Sequence, residues 1–515
     1  MAYSKSYLPV YHDPARTRLL YAIVIMWGLC AASIVVALVG EFGYADASSK
    51  YYLLPWCIAS GAVIAAPSLY LFYKGRFDLT HPLVFIAWGY FFPGFVIGGL
   101  VLSAGLSQPY FLAFIQDEHY NLPLTFVYIM VGYAGITAGF SIPFLSRFGS
   151  WLGSWFPKWN IADRQLPIPA LLLLCLGMAY TALAFTMGVL GFQKPETIGA
   201  YDGIVFLLSL FLLEALFLLW LYIFRAKRLN VAQALIALLL LAIVLAKSAF
   251  QGNRGSLIQM TTLAAFAFVY SGRKLTTVHY VGGSLLITLA LVIGMIYGTT
   301  FRSVKQSQDR IGLDEYAGMV TETFDTLADQ DVDTIFSTGF GALARRIDAV
   351  SSLAVVVSNY EALAPYEEAW GISNNIYVDT VTFFIPRVIW TDKPVSIDAS
   401  KYGDLYFSYS ENSFTMTPMG DLLRNFGPIG VPIGMVLLGM LLRVLYAAFI
   451  ENREFSYWRK TVFFMLLTSI NFEGVFSSIV PIFFKVGLTA LLGIVIVRIC
   501  ARALGPSSRL AASHS

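Results

Sequence analysis

Lys247, Gln251 and Arg254 stand at i, i+4 and i+7 near the end of a long apolar run. That spacing puts all three on one face if the helix continues to Arg254. Gly252 and Gly255 flank the turn; glycine lets a backbone approach a ligand closely, and arginine offers a planar fork that matches phosphate oxygens. A lipid-linked diphosphate would present such oxygens at this depth. The plainer reading is that Lys247 and Arg254 snorkel toward lipid headgroups.

A second set of cations lies in the polar stretch 299–426: Arg302, Arg345, Arg346, Arg387, Lys393 and Arg424. Together they could neutralise diphosphates, or they could be scattered structural ion pairs. Carboxylates also occur inside apolar runs, Glu214 near the middle of one and Glu473 in another, with Lys485 at a similar depth as a partner for Glu473. A charge at the bilayer centre costs at least about 2.5–3.5 kcal/mol, so such groups usually pair or act. A reaction needing a base has no histidine available in the polar stretch. The five histidines are His12, His81, His119, His279 and His514. A carboxylate must then serve: Asp348, Asp379, Asp421 or Glu473.

The elements that carry these residues follow from composition. The 515-residue chain is 57% hydrophobic and 13% charged, against about 25% charged in soluble domains. Runs of 18 or more nearly uncharged residues recur, which makes the chain an all-α polytopic membrane protein. We read about twelve spans, at 18–40, 52–73, 82–105, 122–144, 168–190, 202–224, 231–250, 256–272, 279–298, 428–450, 461–478 and 480–499. The runs around Gly252 and Ser478 could instead be re-entrant hairpins. Lys74 and Arg76, Arg147 and Lys158, Arg225 and Arg228, Arg273, Arg453 and Arg459, and Arg502 fall on one side; Glu41, Asp46, Asp117, Glu118, Glu196 and Asp202 fall on the other. The positive-inside rule then puts both termini in the cytoplasm and 299–427 outside. The expected division is 1–298, an N-terminal bundle; 299–427, the external loop; 428–503, the C-terminal helices; and 504–515, a cytoplasmic tail.

Within the loop, Leu343, Ile347, Val350 and Leu353 recur at helical spacing, predicting a helix over 342–360 that lies on the membrane surface. Residues 313–336 form an acidic tract, read most simply as a solvated helix face. The four cysteines sit in apolar segments and show no zinc spacing. No Walker or dinucleotide glycine motif is present, so a lipid-linked donor is favoured over a nucleotide-linked one. Gly427, Gly430, Gly434 and Gly439 read as close helix packing.

Three short stretches carry a resemblance: Gly252-Asn253-Arg254-Gly255 closing a helix; Pro386-Arg387 with Asp392-Lys393-Pro394; and Gly420-Asp421 with Asn425-Phe426-Gly427 entering a glycine-rich span. With the long external loop, they resemble bacterial oligosaccharide repeat-unit polymerases of the Wzy type, relatives of the O-antigen polymerases and ligases. The resemblance implies a GT-C-like glycosyltransferase of the inner membrane. It would build a surface or extracellular polysaccharide at the periplasmic face from undecaprenyl-diphosphate-linked repeat units. By position, Arg254 would match the family's phosphate-contacting arginine, and Arg346 and Arg387 basic residues of its large loop. Lys247, Arg254, Arg346, Arg387, Lys393 and Arg424 are thus the expected diphosphate ligands. Asp421 or Asp348, with Glu473 as a further candidate, would be the base. Tyr377, Trp390, Tyr402 and Tyr406 would stack on sugar faces. No metal or other cofactor is expected, since Arg and Lys replace the divalent cation. Expected partners are membrane lipid, the lipid-linked donor and acceptor, and flippase and chain-length regulator proteins, but no nucleic acid. The rival readings are a flippase or transporter and an O-antigen-type ligase.

Overall fold

The computed structural model describes residues 49–504 except 108, 191–198, 200, 227, 253, 274–275, 306–312, 332–346, 386–388, 391–392, 394–398, 410–415 and 452. The expected first span at 18–40 lies outside the described residues, as do Arg345, Arg346 and Arg387.

Among the described residues the chain is helical and contains no strand. Among these residues nine helices are long and apolar enough to cross a membrane: Tyr51–Tyr73, Pro82–Ser103, Glu118–Ser141, Pro167–Thr186, Asp202–Arg225, Val231–Gln251, Val281–Lys305, Thr417–Phe449 and Phe476–Ala503. Helix is the form an open chain takes in hydrocarbon, because every backbone polar group must be satisfied within its own segment. This is a multi-pass helical membrane protein. Two further expected spans are shorter here: Ser256–Tyr270 is an apolar helix of 10–17 residues, and Tyr457–Thr468 has 12 residues. Below the latter the chain leaves helical geometry until a 3₁₀ turn at Phe476–Ser478. The 461–478 run is therefore a half-length helix followed by irregular backbone.

The centre of the bundle is Thr417–Phe449, which packs most extensively on Glu118–Ser141 and then on Pro143–Trp155. Lipid tails are as apolar as leucine, so helix pairs in a bilayer are held by close van der Waals contact and favour small residues at the seam. That is the pattern observed. A Cβ on Gly139 would collide with the Val436 carbonyl, and one on Gly439 with the Ile136 carbonyl. Gly149 and Gly153 admit the backbone at Val444 and Ala448 in the same way.

Thr417–Phe449 is sharply bent at Gly427, whose φ of 66° and ψ of −165° lie outside the helical region. Only glycine adopts that conformation without strain. The bend lays Leu422 against Gly430 and Gly434, positions that a straight helix would hold about 12 and 18 Å away along its axis. The glycines at 430 and 434 thus make room for the chain's own fold-back as well as for neighbouring helices.

The surface helix expected over 342–360 forms at Ala349–Glu367, but it does not lie on a surface. Val350 to Val357 are buried, packed against Glu118–Ser141 and Thr417–Phe449. The reason is in the helix Pro82–Ser103. Its middle, Ala87–Ile97, is wound as a π-helix, a wider coil that often marks functional sites. Gly94 faces Ala349 there, and Gly98 lies directly under Ile347 and Asp348. The missing side chains open the groove into which the helix drops. The acidic tract forms an amphipathic helix, Leu313–Asp329, with Tyr316 and Thr323 buried and its acidic residues Asp314, Glu315, Glu322 and Asp325 exposed.

Candidate functional site

Four segments meet in one buried polar cluster where the bent end 417–426 passes beneath the loop segment. Thr417–Phe449 supplies Asp421, Arg424 and Asn425; Ala349–Glu367 supplies Glu367; the short helix Asn375–Thr382 supplies Asn375; the 3₁₀ turn Phe476–Ser478 supplies the Ser477 amide. Asp421, Arg424 and Asn425 share one face because residues three and four apart are neighbours on a helix.

Arg424 is the hub. Its Nη1 donates to Glu367 Oε2 at 2.8 Å and to the Ile372 carbonyl at 2.8 Å. Its Nη2 donates to Asn375 Oδ1 at 2.5 Å and to Asp421 Oδ1 at 3.0 Å. Asp421 also accepts from Asn375 Nδ2 at 3.1 Å, Asn425 Nδ2 at 3.1 Å and the Ser477 backbone N–H at 3.0 Å. The Arg424 and Asp421 side chains are 0% exposed. Tyr406 Oη donates to Glu367 Oε1 at 2.8 Å, and Tyr402 lies against Tyr406 with ring centroids 5.0 Å apart. Two carboxylates thus share one guanidinium. Burial, with Asp421's negative charge adding to it, raises the Glu367 carboxyl above its ordinary value against the opposing pull of Arg424.

No family model, curated protein or solved structure matches this chain. The function must therefore be read from the geometry alone.

That geometry revises several expectations. Arg424 is buried and tied through both Nη atoms to Glu367 and Asp421, so as placed it is a structural tie and cannot reach a donor diphosphate. Tyr402 and Tyr406 are 1% and 2% exposed and form the floor of the cluster, unable to stack on a sugar. Asp348 is the N-cap of Ala349–Glu367: Oδ1 accepts from the Ser351 N–H at 3.0 Å, and Oδ2 accepts from Ser107 Oγ at 2.5 Å and from Ser351 Oγ. A capping carboxylate satisfies donors that the first turn otherwise leaves orphaned. Burial raises its carboxyl, opposed by those hydrogen bonds.

The shared face expected for Lys247, Gln251 and Arg254 does not form. The helix Val231–Gln251 ends at Gly252, which is left-handed with φ of 57° and packed under the Phe301 ring, and a new helix begins at Arg254. Glycine just past a helix end is the usual left-handed terminator. The side chain of Arg254 lies outside the described residues. No hydrogen bond or ion pair among the described residues joins Lys247 to the Asp421 cluster. Lys393 Nζ donates to the Ile385 carbonyl at 3.0 Å.

Three expected residues keep exposed side-chain surface. Tyr377 is 60% exposed and meets the exposed Phe426 edge-on, centroids 5.5 Å apart. That pair is carried directly by the cluster, two residues beyond Asn375 and one beyond Asn425. Glu473 is exposed, in the irregular stretch four residues before Ser477. Trp390 is part exposed. Among the described residues no group of His, Cys, Asp and Glu is arranged to hold a metal ion. The sequence did not single out Glu367, Asn375 or Ser477. Their roles depend on pairings 46–57 residues apart in the chain, and the only local hint was a carboxylate and an amide flanking the aromatic-rich segment.

Proposed function

We propose that this protein is a polymerase of lipid-linked oligosaccharides: a GT-C-like glycosyltransferase of about twelve spans, with cytoplasmic termini and 299–427 in the periplasm. The observation that carries the reading is an exposed aromatic shelf, Tyr377 and Phe426, mounted on a buried ionic clamp, with an exposed carboxylate, Glu473, four residues before the clamp's Ser477 amide. Sugar rings stack on such aromatic faces, and a rigid seat lowers the cost of orienting two large substrates. Glu473 accepts the proton of the attacking acceptor hydroxyl. Asp421, Arg424 and Glu367 are positioning residues that hold the shelf. The donor is a glycan on undecaprenyl diphosphate, whose leaving charge is met by Arg254 at the head of its helix and by the loop cations Arg346, Arg387 and Lys393. The product is a surface polysaccharide, with a flippase and a chain-length regulator as partners.

Full-length protein in liposomes, given lipid-linked repeat units, should yield a ladder of longer lipid-linked glycans. Glu473→Gln should slow it by about 10²–10⁴, and Tyr377→Ala should raise KM more than it lowers kcat. A full ladder from Glu473→Gln, or none from the wild type, refutes the assignment.

One observation favours translocation of the same lipid-linked saccharide instead. Glu214 is 0% exposed, against Gly493 of Phe476–Ala503, and neither carboxylate oxygen has a hydrogen-bond partner. An ionisable group at that depth usually serves transport or pairs. Transport lost in Glu214→Gln with no ladder in the wild type would establish that reading.

A further inference from the structure

At the opposite end of the bundle from the clamp, a cavity of about 230 Å³ opens between the segment 158–165 and the end of Phe476–Ala503. Lys158, Trp159, Asn160, Gln165, Arg498 and Arg502 line it. Three cations face one small space, and among the described residues no carboxylate forms an ion pair with Lys158, Arg498 or Arg502. Arg498 is held in place by stacking on Trp159, its guanidinium carbon 4.5 Å from the ring centroid, and Trp159 rests in turn on Trp458. A fixed guanidinium plane loses little entropy when an oxyanion binds it, and its fork matches two phosphate oxygens. Asn160 and Gln165 add amide donors. The cavity is built for a phosphate-bearing anion.

The helix leading into it sets its depth. Pro143–Trp155 buries Leu145, Gly149 and Gly153 and turns Phe144, Phe148, Trp151 and Trp155 outward as one exposed stripe. Consecutive ring centroids along it are 6.4, 5.6 and 4.6 Å apart. Such a stripe, tryptophan-rich at its end, marks a helix lying in the plane of the membrane interface. Lys158 follows three residues after Trp155. Beside Arg498 and Arg502, Ile499 and Leu504 are exposed apolar side chains at the same level. A headgroup in the cavity would thus have its acyl chains beside apolar protein surface.

We propose that this cavity binds the phosphodiester headgroup of an anionic phospholipid from the leaflet it faces, through Lys158, Arg498 and Arg502. Basic pockets between membrane helices on the positively flanked side suit such lipids. A free phosphate shares the same chemistry but makes no use of the aromatic stripe or of Ile499 and Leu504.

The test uses the full chain, delipidated in detergent, with phosphatidylglycerol binding followed by native mass spectrometry. Each neutralised cation should weaken binding about fivefold. Lys158→Gln/Arg502→Gln, both exposed and remote from the packing, should therefore bind about 25-fold more weakly, and adding Arg498→Gln should bring the loss to about a hundredfold. Lys74→Gln/Arg76→Gln, the same charge change in another exposed loop, should leave binding unchanged. Phosphatidylcholine should bind weakly, and excess inorganic phosphate should not displace the anionic lipid. Equal loss in both double variants, or no loss in the first, overturns the site. Displacement by inorganic phosphate overturns the lipid and assigns the cavity to a soluble ligand.

Discussion

Replacing Arg424 with methionine tests the clamp directly. The guanidinium makes four hydrogen bonds, two of them to the carboxylates of Glu367 and Asp421, and its side chain is 0% exposed. Methionine fills similar volume but leaves two buried carboxylates facing each other without a counter-charge. Removing one partner of a buried pair costs about 3–5 kcal/mol, a large part of the total stability of an ordinary domain. Arg424→Lys should recover only part, because an ammonium cannot fork to Glu367, Asp421 and Asn375 together. In Arg424→Met/Glu367→Gln/Asp421→Asn the charges vanish together, so the loss should be smaller than in Arg424→Met alone by about 1–3 kcal/mol. Unfolding in mild detergent, followed by tryptophan fluorescence and by the rate at which protease cuts within 368–416, measures both. If Arg424→Met shifts stability by less than about 1 kcal/mol, or if the triple variant is as unstable as the single one, the charges do not lock the loop and the positioning role fails.

Two further outcomes follow from the same geometry. Gly439→Ala places a methyl against the Ile136 carbonyl and should destabilise the central helix pair by about 1–3 kcal/mol, seen as a lowered Tm; an unchanged Tm would show that the seam can open. The raised Glu367 carboxyl binds its proton more tightly folded than unfolded, so the native state holds more protons at pH values just above its ordinary value of 4.5. Its contribution is complete below 4.5 and declines as pH rises through its higher folded value. Glu367→Gln should remove that slope from a plot of Tm against pH; a slope identical to wild type assigns it to other groups.

How far the sequence could be read depends on whether the signal was local. Most apolar runs become helices near their expected limits among the described residues, because hydrocarbon leaves the backbone no alternative; the run 461–478 is the exception, helical only as far as Thr468. Asp421 and Arg424 stood out as charges at the head of a glycine-rich span, and they prove to be partners in one cluster. Their partners were invisible, since Glu367 and Asn375 reach them only through tertiary folding. Gly252 misled for a different reason: the helical spacing of Lys247, Gln251 and Arg254 is real, but a glycine that takes the left-handed conformation interrupts it. That terminator was legible in principle. The burial of Ala349–Glu367 was not, because its amphipathic spacing fits a groove as well as a surface, and the groove is made by Gly94 and Gly98 on another helix.

The tie between Glu367 and Arg424 spans 57 residues, and this fixes an order of events during biosynthesis. In a chain made from its N-terminus, Glu367 emerges 57 residues ahead of Arg424 and has to wait for its partner. Until then its charge has no guanidinium to meet; the pairing forms only when 417–426 arrives and folds back at Gly427. Closure of the segment around Glu367 therefore waits on 417–426, and a chain cut short ahead of residue 417 would leave the Glu367 carboxylate without its guanidinium.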